Sequence, residues 1–147
     1  MEFRVNIYIE TSRKGPSRGP GKYMYLIEFL SKKTGEPITR DGMECFDCTF
    51  ENELALKAII AAAKRLTKPC CIRIFTGCNH ILSTTHNSWH IEWQKNGWKK
   101  KNGEPIKNAA LWEELVAVLG KHAVSYTKDD HSYRNWMQEQ MKGDKNV

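Results

Sequence analysis

The hydrophobic spacing of the chain changes once, near residue 52, and that change restricts the fold more than any other feature. Before it the period is two. Residues 3–10, FRVNIYIE, set Phe3, Val5, Ile7 and Ile9 against Arg4, Asn6, Tyr8 and Glu10, which is a strand with one strongly apolar face. The Gly/Pro-rich turn TSRKGPSRGPGK leads to a second strand at 23–31, YMYLIEFLS. A polar turn around Gly35 and Pro37 leads to a third at 43–50. Short turns between strands predict an antiparallel meander.

After residue 52 the period is helical. Asn52 is suited to cap a helix, and ELALKAIIAAAKRL places Leu56, Ile59, Ile60, Ala63 and Leu66 on one face, with Pro69 stopping it. A short apolar strand follows at 71–76, then a turn with a weak helix over 77–88. Trp89 opens another helix, broken near Gly97, and a charged loop runs from Lys99 to Lys107. Asn108 caps a helix with Leu111, Trp112, Leu115, Val116 and Leu119 at core spacing, and Gly120 stops it. HAVSYT at 122–127 is the fifth strand, and Ser132 caps a last helix that Gly143 ends. Strand–helix–strand units require parallel neighbours. The chain therefore predicts a mixed five-stranded sheet with helices on both faces: a single α/β domain over residues 1–142 and a frayed tail at 143–147.

A chain of 147 residues with 40% hydrophobic and 27% charged content can bury a core without disulfides or metals. No apolar run approaches the ~20 residues of a membrane span. The start MEFRVNIYIE is charged and alternating, unlike a secretory leader. With an odd number of cysteines, five, this predicts a reducing cytoplasm. Cys45 and Cys48 stand three apart on an expected strand and so point to opposite faces. The cysteines are therefore read as buried structural thiols rather than a zinc ribbon with Cys70 and Cys71.

The formal charge is +6, a mild push toward an anionic partner. The stretch WHIEWQKNGWKKKNGEPIKNAALW, residues 89–112, carries four of the five tryptophans and five lysines, and the turn from Arg13 to Lys22 adds further positive charge near Glu10. Such a segment can face a phosphate backbone, ammonium groups on phosphates and rings on sugars or bases. An amphipathic helix with a Trp anchor and a solvated lysine turn has the same composition.

The tryptophan spacing Trp89, Trp93, Trp98, the following Lys-Lys pair and the string EPIKNAALW resemble the basic handle and succeeding helix of type 1 ribonuclease H. Glu10-Thr11-Ser12, Gly19-Pro20-Gly21-Lys22-Tyr23 and Asn52-Glu53-Leu54 resemble other parts of that family's pattern. The resemblance spans nearly the whole chain and implies the ribonuclease H-like fold, with three antiparallel strands followed by parallel ones.

It also implies chemistry. Family members hydrolyse the RNA strand of RNA/DNA hybrids with two Mg²⁺ ions held by four carboxylates. Glu10 matches the first, lengthened from Asp, Glu53 the second and Glu139 the fourth. The third falls at Gly77 or, shifted by one, Cys78, neither a hard oxygen ligand. His131 matches a loop histidine that helps release product, with Asp129 or Asp130 as substitutes, and Asp47, Asp129 or Asp130 could supply the missing acid. Trp89, Trp93, Lys95, Trp98, Lys99, Lys100, Lys101 and Lys107 match or resemble the nucleic-acid handle. Thr49, Phe50 and Glu51 stand where the family reads RNA hydroxyls. The resemblance thus implies a monomeric binder of RNA/DNA hybrid or duplex with a degenerate two-metal site and weak or no hydrolysis. The alternatives are an active Mg²⁺ or Mn²⁺ nuclease with a substitute carboxylate, and a protein-interaction module on the same fold.

Overall fold

The computed structural model describes residues 3–30, 33 and 35–143. The elements run β1 (Phe3–Thr11), β2 (Gly19–Leu30), β3 (Pro37–Thr49), α1 (Glu51–Lys64), β4 (Cys70–Phe75), α2 (Asn79–His86), α3 (Trp89–Lys95), α4 (Ala109–Leu119), β5 (Ala123–Thr127) and α5 (Arg134–Gly143). The sheet order is β3-β2-β1-β4-β5. β1 is central, antiparallel to β2 through Ile7↔Ile27 and parallel to β4 through Ile7↔Ile74. β5 continues the parallel half. This is the mixed sheet expected from the change of period.

Alternation along β1 divides the molecule into two layers. Val5, Ile7 and Ile9 face the main core, built from α1 and α4 with Leu54, Ile59, Trp112 and Leu115. Tyr8 faces a smaller cluster with Met24, Leu26, Phe75 and, from α5, Met137 and Met141. Each buried Leu or Ile contributes about 1.5–3 kcal/mol, so the α1 layer holds most of the apolar stabilisation. A Cβ on Gly21 would lie 2.9 Å from Thr49 Cγ2 and 3.0 Å from Leu54 Cδ1, so a larger residue would have to push these two side chains aside.

Several boundaries differ from expectation. β3 begins at Pro37 rather than residue 43. It is an edge strand exposed along most of its length, so its first half carries no apolar alternation although its backbone pairs with β2 from Leu30↔Pro37 onward. β2 likewise starts early, at Gly19. Phe50, not Asn52, is the N-cap of α1: its ring is buried, and the Asn52 side chain instead accepts from the Cys78 thiol at 3.3 Å. Asn108 does cap α4, in left-handed backbone and without a side-chain cap bond. The last helix starts at Arg134, two residues beyond the expected cap. Cys45, Cys48 and Cys71 are exposed and only Cys70 and Cys78 are buried, so the buried-thiol expectation holds for two of the five. Ser31, the expected end of the second strand, and residues 144–147 of the expected tail lie outside the described residues.

Candidate functional site

Glu10 is the next-to-last residue of β1, at the carboxyl ends of the parallel strands, where open α/β sheets place their ligands. Its residue is only 6% exposed. The carboxylate is enclosed by donors from the last loop and α5. His131 Nε2 donates to Oε2 at 3.1 Å, Arg134 Nε to Oε2 at 3.4 Å, and Gln138 Nε2 to Oε1 at 2.8 Å. Burial alone pushes its pKa up, but the hydrogen bonds from His131 and Gln138 and the charges of Arg134 and Lys14 outweigh that and hold it below the ordinary 4.5.

The loop carrying His131 is itself fixed. The His131 ring, its side chain 4% exposed, packs on Tyr8 with centroids 4.5 Å apart. Behind it lies a second buried carboxylate, Glu28, which accepts from Tyr8 Oη at 2.8 Å, Asn6 Nδ2 at 3.0 Å and Tyr133 Oη at 2.6 Å. Burial raises the Glu28 pKa and these three bonds more than reverse it. The phenols respond oppositely: burial and the Glu28 carboxylate push Tyr8 far above its ordinary value, and the Glu28 bond pushes Tyr133 up to about 12. Tyr8 and Tyr133 thus remain donors, and Glu28 remains an acceptor.

A cavity of about 470 Å³ opens beside Glu10, lined by Thr11, Ser12, Lys14, Glu51, Gly77, Cys78, Arg134 and Gln138 among others. Lys14 Nζ donates to Thr11 Oγ1 at 2.9 Å. Glu51 Oε1 accepts the Gly15 amide at 3.0 Å, tying the β1–β2 loop to the first turn of α1. The donor set does not fit a pair of Mg²⁺ ions. Glu10 and Glu51 are the only carboxylates among the described residues lining the cavity, and Lys14 and Arg134 offset their charge. Gly77 supplies no side chain, and burial raises the Cys78 thiol pKa, which keeps it a protonated, soft sulfur. No group of three or more His, Cys, Asp or Glu among the described residues is arranged to hold a metal.

The candidate carboxylates therefore do not converge. Glu10 lies in the cavity wall, but Glu53 points elsewhere: it accepts from Thr49 Oγ1 at 3.0 Å and lies 3.8 Å from Arg18 and 3.7 Å from Lys57. Glu139 is exposed and 3.7 Å from Lys142. Asp129 pairs with Arg73 at 3.1 Å and Asp130 with Arg134 at 2.8 Å, and Asp47 is exposed on β3. Sequence reasoning set Glu51 among the hydroxyl-reading positions rather than in the cavity wall, and passed over Arg134 and Gln138. The last two were accessible to it: Met137 and Met141 mark the buried face of α5, and Arg134 and Gln138 flank that stripe one turn apart. Glu139, two residues from Met137, falls on the far side.

The handle assembles as a unit. α3 leads into Gly97 and Trp98, both with positive φ, and the Trp98 amide donates to the Trp93 carbonyl at 2.7 Å. A bridge between Lys99 and Pro105 closes the loop. Trp112 is fully buried, donates to His80 Nε2 at 3.2 Å and meets Trp93 edge-on at 5.9 Å. Trp93 and Trp98 pack against the core, so they anchor the segment, and Trp89, 46% exposed, is the ring left facing solvent. Trp89, Trp93, Lys95, Lys99, Lys100 and Lys101 line one hollow of about 710 Å³. Lys107 lies apart, its ammonium 4.8 Å from the Phe50 ring centroid.

A central mixed sheet with a polar pocket at its parallel strand ends and a basic, tryptophan-anchored arm defines a ribonuclease H-like protein. The RNase H family model matches residues 3–129, and the chain belongs to that family. It is 37% identical over 125 residues to a ribonuclease H of Nitratidesulfovibrio vulgaris, covering 85% of this chain and 76% of the relative. It is 30% identical over 124 residues to one from Lachnoclostridium phytofermentans, covering 84% and 78%. Among solved structures it resembles LC9-RNase H1, a type 1 RNase H with the type 2 active-site motif. That match has a TM-score of 0.76, 26% identity, and coverage of 96% of this chain and 69% of that one. No helix among the described residues is long and apolar enough to cross a membrane.

Proposed function

We propose that this chain binds RNA/DNA hybrid or duplex through its handle and has lost two-metal hydrolysis. The observation that carries this reading is the state of Glu10: its carboxylate is taken up by His131, Arg134 and Gln138. A Mg²⁺ ion would have to displace a guanidinium and two hydrogen bonds, with Glu51 the one other carboxylate among the described residues of the cavity wall. Family membership supports nucleic acid as the partner, and the lysines lining the α3 hollow supply the phosphate contacts.

A second reading, an active Mg²⁺- or Mn²⁺-dependent hybrid nuclease, is favoured by the relatives named ribonuclease H. One assay separates the two. A labelled hybrid is incubated with the protein in Mg²⁺ and in Mn²⁺, beside a Glu10→Gln, Glu51→Gln double variant. The binding reading expects intact substrate in every lane, and metal-dependent cleavage that disappears in the double variant sinks it. Affinity measured against salt should fall steeply, and Lys99/100/101→Ala should flatten the slope by roughly one unit per lost phosphate contact. Absence of binding at low salt would instead identify an interaction module.

A further inference from the structure

We infer that the cavity beside Glu10 takes a phosphodiester of the bound strand directly on Lys14 and Arg134, with no metal ion between protein and phosphate. This rests on the nucleic-acid-binding reading and specifies what its former reaction centre does. A site built for Mg²⁺ concentrates negative charge and repels a phosphate until the ions arrive. Here the cavity carries two acids and two bases. Glu10 is held by its three donors, and Glu51 accepts the Gly15 amide through one of its two oxygens.

The bases retain capacity. The Lys14 ammonium has three donor hydrogens and one hydrogen-bond acceptor among the described residues, Thr11 Oγ1. The Arg134 guanidinium has five; its Nε faces Glu10 and its Nη1 faces Asp130, which leaves Nη2 without a partner among the described residues. A guanidinium held by two carboxylates is oriented in advance, and its remaining Nη2 can donate to a phosphate oxygen. The wall opposite is open, since a Cβ built on Gly77 meets nothing within 4 Å.

The surroundings favour a strand over a free anion. Phe50, immediately before Glu51, carries Arg18 at 4.5 Å and Lys107 at 4.8 Å from its ring centroid. Arg18, 3.8 Å from Glu53, and Lys107 thus place two cations on the ring of the residue preceding Glu51, which lines the cavity. A backbone with evenly spaced phosphates can use all of them at once, and a lone phosphate cannot.

The test uses ligands too short to span both sites. The full chain is titrated in EDTA, at constant ionic strength, with thymidylyl-thymidine, which has one phosphodiester, and separately with orthophosphate. The amide resonances of Gly15, Gly77 and Cys78 and the Arg134 Nε–H resonance report binding. We expect saturable shifts at these groups with the dinucleotide, weakened roughly tenfold by Lys14→Ala and restored by Lys14→Arg, a change at an exposed position. Millimolar Mg²⁺ should not tighten the complex. Shifts absent from these groups, shifts with orthophosphate alone, insensitivity to Lys14→Ala, or tenfold tightening by Mg²⁺ would each overturn the inference. A hybrid that binds the handle while the cavity stays silent removes this inference and keeps the proposed function. Cavity shifts without hybrid binding do the reverse.

Discussion

Glu10 is a buried carboxylate fixed by hydrogen bonds from three side chains. A buried carboxylate with three donors is stable only while it is charged. Its pKa is depressed in the folded state, so its stabilisation is complete above the unfolded value near 4.5 and is lost as pH falls through the folded value. Glu10→Gln is expected to cost about 2–4 kcal/mol at pH 7, because Arg134 and His131 lose their anion and an amide brings further donors toward Gln138. The difference from wild type should shrink toward pH 3. Urea denaturation at pH 7, 5 and 3 measures both, and a constant difference across pH would remove the charge from the explanation. The same geometry predicts how a metal site could be built beside Glu10. Gly77→Asp fits the open wall, but the added acid still faces Arg134. Gly77→Asp with Arg134→Ala should raise the melting temperature by roughly 2–4 °C in 10 mM Mg²⁺, whereas wild type should show no rise.

Within the elements, the handle separates anchoring rings from the one available for contact. Trp93 meets buried Trp112 edge-on and supports the positive-φ turn at Trp98 through its carbonyl. Trp93→Ala should therefore destabilise the protein by about 1–3 kcal/mol and weaken binding through loss of the loop's shape. Trp89→Ala should leave the melting temperature nearly unchanged and lower hybrid affinity by roughly five- to tenfold, the worth of a modest stacking contact. Calorimetry and anisotropy on the pair test this, and a Trp89 variant that melts early would make that ring structural too. The sequence made these elements readable where one face was buried. The period-two run of β1 and the apolar stripe of α1 and α4 located the sheet and its main layer. β3 was only half legible, since an exposed edge strand owes its form to backbone pairing and leaves no side-chain pattern. Of the candidate site residues, Glu10, Gly77 and Cys78 fall together in the wall of one cavity. His131 was picked out as a loop histidine, but its bond to Glu10 was not legible, because the ring is seated through the Tyr8–Glu28–Tyr133 network contributed by three separate segments.

The whole molecule is asymmetric across its sheet, and the asymmetry predicts how it comes apart. The α1 and α4 face buries a large apolar cluster, whereas α5 buries chiefly Met137 and Met141 against Tyr8, Met24, Leu26 and Phe75. Its docking relies instead on Glu10 and Glu28, with a further bond from Lys22 Nζ to the Met141 carbonyl at 2.6 Å. Both carboxylates have depressed folded pKa values, so their contributions fail together as pH drops below about 4.5. The α1 layer has no comparable dependence, because apolar burial does not titrate. α5 should therefore release as a unit in acid while the sheet and α1 persist, a local unfolding of the kind expected where apolar contacts are few. Limited pepsin digestion between pH 4.5 and 3 should cut first within residues 128–143 and leave a protected fragment ending near β5. Glu28→Gln, which keeps the shape but removes the charge that Tyr8, Asn6 and Tyr133 address, should move that first cut to higher pH. Simultaneous cleavage across α1 and α5 at every pH would show the two layers to be one cooperative unit, and would return the role of Glu10 and Glu28 to ordinary global stability.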